Sequence, residues 1–368
     1  LEKLGVGVQV TRVGKYKSAV EPFLLDKMSD ANREQLETLV GDLWAHVQGT
    51  IAEARKLSPE AMKTFIDAGG IAVGEGAVSA KLVDKTSYFD ELLIELKELT
   101  GAKSSERTFR QVKAQDYVDL HDDALHGGHG KKLAVVYAEG NIVDGDDKDE
   151  VGGDTVARLL RKARLDKSIG AVVLRVNSPG GSATASEVIG REVQLIKAVK
   201  PIVVSMGTVA ASGGYWISAF ANRIFAEPST ITGSIGVFGL LLNFGKLTEN
   251  IGVTADTVKT EKFADIDTVF RPKSEGELGI IQHLVDGIYK AFIDRVTEGR
   301  NLERSQVEEI AQGRVWSGER AKTLGLVDEL GGLEDALMYA ATTANLGEDF
   351  SIVTLQKSRT PLEQILEM

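Results

Sequence analysis

The sequence predicts an α/β protein built from units of a parallel sheet with flanking helices, duplicated in tandem, with the first copy incomplete. Three observations predict it. Short β-branched runs alternate with helical patterns from Lys132 onward, the signature of strand–helix–strand units. A long stretch recurs: GGIAVGEGAVSAKLVDKTSYFDEL begins at Gly69 and GRVWSGERAKTLGLVDELGGLEDAL at Gly313, with Val83-Asp84 facing Val327-Asp328. The chain also has 368 residues, room for about two domains.

Composition narrows the class. The chain is 43% hydrophobic and 26% charged, an ordinary globular balance. A net charge of -11 argues against a nucleic-acid partner, which would want a basic face. There is no cysteine, so disulfides, thiolate nucleophiles and cysteine metal sites are excluded. No apolar run approaches the roughly 18 residues that span a bilayer. Leu1 is not an initiator methionine, so the chain is expected to be truncated or processed at its start.

The elements follow in order. Residues 1–118 read as the back half of a first repeat, whose strand–helix–strand front is expected upstream. Within them VGKYKSAVEPF resembles VKTEKFADIDTVF, setting Lys17 opposite Lys262. A helical pattern follows in each copy, DANREQLETLVGDLWAHVQGTIAEAR and SEGELGIIQHLVDGIYKAFIDRVTEGR, with apolar residues at helical spacing. Residues 119–131, DLHDDALHGGHGK, are polar and rich in glycine and histidine and read as a linker. Its His121, His126 and His129 read as solvated linker residues rather than metal ligands. Residues 132–368 form the complete second repeat: strand LAVVYAEGNIV, helix DTVARLLRKARLD, strand AVVLRVN, helix SATASEVIGREVQLIKAV and strand PIVVSMG, then a turn at Ser212 and a further helix.

That turn carries chemistry. In TVAASGGYW, Ser212 stands among alanines and glycines before two large rings. A serine hydroxyl needs a base to become a nucleophile, and it needs room and two donors for a developing oxyanion. The helix opening at SGGYWISAF would offer free backbone N–H groups, that of Gly213 among them. A second small-residue turn, NSPGGSATASE at 177–187, follows the strand before it. Its glycines let backbone approach a ligand closely. Both turns would lie at the carboxyl edge of the sheet, where open α/β sheets bind ligands. Gly181 and Gly213 would then supply a pair of N–H donors. Either turn alone reads more often as a helix cap, and both together, in this order, are more specific.

The base is less determined. His46 and His283 fall in the long helical patterns and the other histidines in the linker, and GxSxG is absent, which disfavours a Ser-His-Asp site. A lysine base must be neutral, with its pKa brought well below about 10.4 by burial or nearby cations. Lys15, Lys17, Lys259 and Lys262 are candidates, and spacing does not choose among them.

Four segments in order, VGKYKSAVEPF, NSPGGSATASE, VVSMGTVAASGGYWIS and ITGSIGVFG, resemble the signal peptide peptidase A (protease IV) family in its long tandem-repeat, Gram-negative form. The resemblance covers nearly the whole chain. It implies a crotonase/Clp-protease-like fold and a membrane-associated serine endopeptidase with a Ser/Lys dyad. It implies Ser212 as nucleophile, Lys17 from the first repeat as general base, Ser234 as the hydroxyl that binds the lysine amine, and Gly181 and Gly213 as the oxyanion hole. It further implies a homotetramer on the periplasmic face of the bacterial inner membrane, held by an N-terminal anchor absent from this chain, and peptide substrates, chiefly cleaved signal peptides.

Two other readings compete. A crotonase-type thioester enzyme would share the paired N–H donors but use coenzyme A and a carboxylate. A catalytically dead scaffold would have no need of Ser212, Lys17 and Ser234 together. No GxxxxGK[ST] or HExxH pattern occurs, so no cofactor and no metal are expected.

Overall fold

The structure, a computed structural model, describes residues 1–117, 130–147, 149–347 and 350–356. Of the expected linker, all but Gly130 and Lys131 lies outside the described residues, His121, His126 and His129 included. The chain divides into two compact units, residues 1–42 with 129–368, and residues 43–128. The expected division at 119–131 and this spatial one have different boundaries, because the first 42 residues join the larger unit. No helix among the described residues is long and apolar enough to cross a membrane.

The chain opens with strand β1 (Gly7–Val13) and the 26-residue helix α1 (Asp30–Arg55). The smaller unit then holds α2 (Pro59–Asp67), α3 (Glu75–Ser79) and α4 (Phe89–Thr100). Ser58 caps α2 by accepting a hydrogen bond from the Ala61 N–H, and Met62 is buried beneath that helix. Arg55 fastens the unit by donating to the Lys81 carbonyl and pairing with Asp84 at 3.1 Å.

The larger unit continues with β2 (Lys132–Glu139), β3 (Ile142–Val143), β4 (Val151–Gly152), α5 (Gly153–Leu165), β5 (Ile169–Ser178), α6 (Ala183–Lys197), β6 (Ile202–Ala211) and α7 (Gly213–Ser218). Then come β7 (Arg223–Ala226), β8 (Ile231–Gly233), β9 (Val237–Asn243), α8 (Gly245–Asn250), α9 (Glu275–Arg300) and α10 (Arg304–Ile310). The chain closes with β10 (Val315–Ser317), α11 (Gly318–Thr323), β11 (Glu329–Leu330), α12 (Leu333–Thr343) and β12 (Ser351–Leu355).

The main sheet runs β10-β8-β6-β5-β2-β12, with β7 on β6 and β11 on β7. Its pairings are parallel except β10 with β8. This is the α/β architecture with a parallel sheet that the alternation of runs and helices predicts. Alternate strand residues enter two cores. Ala134, Val136, Val172, Leu174 and Val204 pack toward Leu160, Ile189 and Ile217 of α5, α6 and α7. Leu133, Val135, Val173 and Val203 pack toward Ala336 and Ala340 of α12. A sheet covered on both faces needs near-continuous apolar strands, which is why these runs are so hydrophobic.

Two elements differ from the sequence expectation. The expected strand LAVVYAEGNIV is broken at Gly140, whose φ of 107° turns the chain before β3. The strand expected to end at PIVVSMG continues through TVAA to Ala211. It pairs first with β7 through Val203–Ser205 and then with β8 through Val209–Ala211, so a second partner carries it to the edge of Ser212.

Candidate active site

Ser212 sits between β6 and α7 with φ 54° and ψ −119°, a conformation rare for a residue with a side chain. It is held there from both sides. Its N–H donates to the Gly233 carbonyl at 2.9 Å, and its carbonyl accepts from Trp216 N–H at 2.9 Å. The small residues around it are required by contact. A methyl group at Gly213 would lie 2.6 Å from Ser186 Oγ, and one at Gly214 would lie 2.6 Å from the Ser178 carbonyl.

The turn after β5 packs against this one backbone to backbone. A Cβ at Gly180 would come within 2.5 Å of Gly213 N and 2.8 Å of Ser212 Cβ. Gly181, at φ 150°, is pinned by Ile142: the Ile142 N–H donates to the Gly180 carbonyl at 2.8 Å, and the Ile142 carbonyl accepts from Ser182 N–H at 2.7 Å. Gly181 and Gly213 are therefore neighbours beside Ser212. Gly213 is the first residue of α7, so its N–H has no intrahelical partner. With only six residues, α7 acts through individual N–H groups rather than through a macrodipole.

Lys17 arrives from the opposite direction. Along its whole length β1 pairs antiparallel with β9, and the chain then turns at Gly14, φ 104°. Tyr16 N–H donates to the Gln312 carbonyl at 3.0 Å, and Lys17 N–H to the Gly14 carbonyl at 3.1 Å. Gly313 makes room, since a Cβ there would lie 2.7 Å from Lys17 Cβ. Lys17 Nζ ends 3.0 Å from Ser212 Oγ, 3.0 Å from Ser234 Oγ and 3.0 Å from the Ser234 carbonyl oxygen. Lys17 is 5% exposed. Burial, which penalises the ammonium, lowers its pKa to about 8.

This geometry suits a neutral amine. Its two N–H groups would donate to the two Ser234 oxygens, and its lone pair would accept the Ser212 hydroxyl proton. Ser234 itself has φ 52°, and its N–H donates to the Arg314 carbonyl at 2.7 Å.

The structure separates the four candidate lysines. Lys15 is exposed with its amine over the Tyr16 ring. Lys259 pairs with Asp265 at 2.7 Å. Lys262 is exposed with its amine over Phe263. Of these only Lys17 lies beside Ser212. His46 and His283 lie on α1 and α9, and neither lines the cleft at Ser212.

That cleft, about 720 Å³ in volume, has apolar walls that include Leu39, Trp216, Phe238, Ile288 and Phe292. Sequence reasoning missed its polar supports. Gln35 is 3% exposed, Tyr16 is buried, and the Arg314 guanidinium is stacked between the Tyr16 and Trp316 rings. No local signal marked Gln35: it shares its helix face with Asn32, Thr38 and Asp42, and polar residues on that face look alike in the chain.

Among known proteins, the model of peptidase family S49 matches residues 1–103 and 194–347. Protease 4 of Salmonella typhi is 42% identical over 377 aligned residues, covering 100% of this chain and 60% of that protein. The chloroplastic serine protease SPPA of Arabidopsis thaliana is 33% identical, covering 99% of this chain and 55% of that protein. The chain thus spans somewhat over half the length of these relatives. Among solved structures, a ClpP1 variant from Listeria monocytogenes aligns with a TM-score of 0.37 at 18% identity, covering 55% of this chain and 94% of that one.

Proposed function

The chain belongs to peptidase family S49, and on that premise we propose that the protein is a serine endopeptidase with Ser212 as nucleophile and Lys17 as general base. One observation carries the reading: a buried lysine amine with a lowered pKa lies 3.0 Å from the hydroxyl of a serine held at positive φ.

The steps follow from the geometry. Ser212 Oγ attacks the scissile carbonyl carbon while its proton passes to Lys17 Nζ. The carbonyl oxygen becomes an oxyanion beside the N–H groups of Gly181 and Gly213. When the C–N bond breaks, the Lys17 ammonium gives its proton to the leaving amine. Neutral Lys17 then takes a proton from water, the hydroxide attacks the acyl-enzyme, and the carboxylate product leaves Ser212 with its proton restored. Ser234 holds the amine in line throughout.

The substrates in this reading are extended apolar peptides, cleaved signal peptides in particular. The apolar walls of the cleft and the family resemblance support them. The reading includes a homotetramer held at the periplasmic face of the inner membrane by an upstream anchor. Exposed Ile280 and Leu284 on α9 are consistent with packing between copies. It also includes tandem duplication, with residues 1–118 as the back half of a first repeat. Supporting this, α1 to α4 and α9 to α12 follow the same succession, with starts 243 to 245 positions apart.

The test is labelling by a fluorophosphonate probe together with hydrolysis of a fluorogenic apolar peptide. Wild type is expected to do both, Ser212→Ala neither, and Lys17→Ala is expected to lose turnover. A thioester enzyme or an inert scaffold would not label, and full activity in Ser212→Ala would refute the assignment.

A further inference from the structure

We infer that Gln35 is a positioning residue that sets the place and the protonation of Lys17; the inference rests on the Ser212–Lys17 reading above. The Gln35 side chain grips the chain on both sides of Lys17. Its Nε2 lies 2.9 Å from the Tyr16 carbonyl oxygen and 3.1 Å from Ser18 Oγ, and it also reaches Asn32 Oδ1 at 3.1 Å. Its Oε1 accepts from the Val315 N–H at 3.3 Å. Val315 follows Arg314, whose carbonyl accepts the Ser234 N–H. One buried amide thus joins the segment that carries Lys17 to the segment that holds Ser234, the two parts that must stay in register around Nζ.

The amide's neutrality matters as much as its reach. The charged and titratable groups on the elements around Lys17 have partners of their own. From α1, Glu34 accepts from Tyr16 Oη and from Arg314 at 2.9 Å. From the segment after Lys17, Glu21 accepts from Ser29 and Asn32 and lies 4.0 Å from Arg12. From α9, the Tyr289 hydroxyl accepts from Gln312 N–H at 3.4 Å. Lys15 points its amine over the Tyr16 ring. Gln35 is a polar residue of the cleft wall that adds no charge. A carboxylate there would favour the ammonium form of Lys17 and reduce the fraction of competent base. An apolar side chain of similar size would leave the charge balance alone and release the grip.

The experiment compares wild type, Gln35→Glu and Gln35→Met in peptide hydrolysis across pH 6 to 10, with rates normalised to fluorophosphonate-titrated sites. Gln35→Glu is expected to move the midpoint of the pH–rate profile upward by roughly one unit. Gln35→Met is expected to lower kcat about tenfold with KM within about twofold and no upward shift. A residue serving only stability would lower the number of titratable sites but leave the rate per site and the midpoint unchanged, and that result overturns the inference. Should neither variant fold, Ser18→Ala, which removes one of the contacts, decides it: a lower kcat per site at unchanged KM supports the role, and an unchanged kcat overturns it. Failure of the underlying reading looks different, since wild type would then not label or Ser212→Ala would keep its activity.

Discussion

Lys17 and Ser212 are 195 positions apart in the chain and 3.0 Å apart, Nζ to Oγ, in the folded protein. Ser234 is the pivot between them. It lies between β8, which pairs with the end of β6 that leads to Ser212, and β9, which pairs with the β1 that leads to Lys17. The short segment 231–243 therefore brings Ser212, Lys17 and Ser234 together.

The pH–rate profile follows from the burial of Lys17. In the proposed mechanism the neutral amine is the active form, so kcat/KM should rise with pH through a midpoint near the pKa of about 8. Steady-state hydrolysis of a neutral peptide between pH 6 and 10 measures it. A midpoint near the 10.5 of an unburied lysine would show that Lys17 is not the titrating base.

The same burial has a cost in stability. A lysine with a lowered folded-state pKa destabilises the fold below about pH 8, and that cost disappears as pH rises from about 8 to 10.5. Lys17→Met should therefore abolish turnover yet raise unfolding stability at pH 7, by at most about 3 kcal/mol. Denaturant titration of both proteins checks this. Equal or lower stability in the variant would mean that the amine is solvated or better compensated than its surroundings indicate.

Ser234→Ala tests the orienting hydroxyl. The Ser234 carbonyl still receives one N–H of the amine, so the base stays nearby but loses one of its contacts. Loss of one hydrogen bond should lower kcat/KM roughly tenfold. No change in rate per titrated site would reduce Ser234 to a turn residue.

Gly213→Ala tests the requirement for space beside Ser212. The new methyl would meet Ser186 Oγ at 2.6 Å and lie 3.2 Å from Gly181 N, displacing one proposed oxyanion donor. Turnover should fall by about 10² or more. Ser186→Ala removes the nearest colliding atom and should restore part of the activity in the double variant, a non-additivity that a double-mutant cycle reads directly. Additive losses would show that the crowding is not where the effect arises.

Much of this site was legible in the chain. The strands β2, β5 and β6 announce themselves as β-branched runs because both faces of their sheet are buried. The turns at Gly180-Gly181 and Ser212-Gly213 are visible because close backbone approach admits only small residues, and the contacts at these glycines bear that out. The long helices α1 and α9 were clear from apolar spacing alone.

Local pattern did not choose which lysine meets the serine; the resemblance pointed to Lys17, and the tertiary structure sets its amine 3.0 Å from Ser212 Oγ. Lys15, Lys17, Lys259 and Lys262 look alike locally, and what separates them is burial, a property of the packed surroundings. Lys17 is enclosed because β1 pairs with β9, a contact between strands about 230 positions apart that no local pattern encodes. Gln35 escaped notice for the same reason: its partners at Tyr16, Ser18 and Val315 come together only when α1 packs against the far end of the chain. Sequence determined the elements and the turns because their causes are local sterics and periodic burial. The meeting of Lys17 with Ser212 was left to the fold because a pKa lowered by desolvation exists only once the surrounding chain has excluded water.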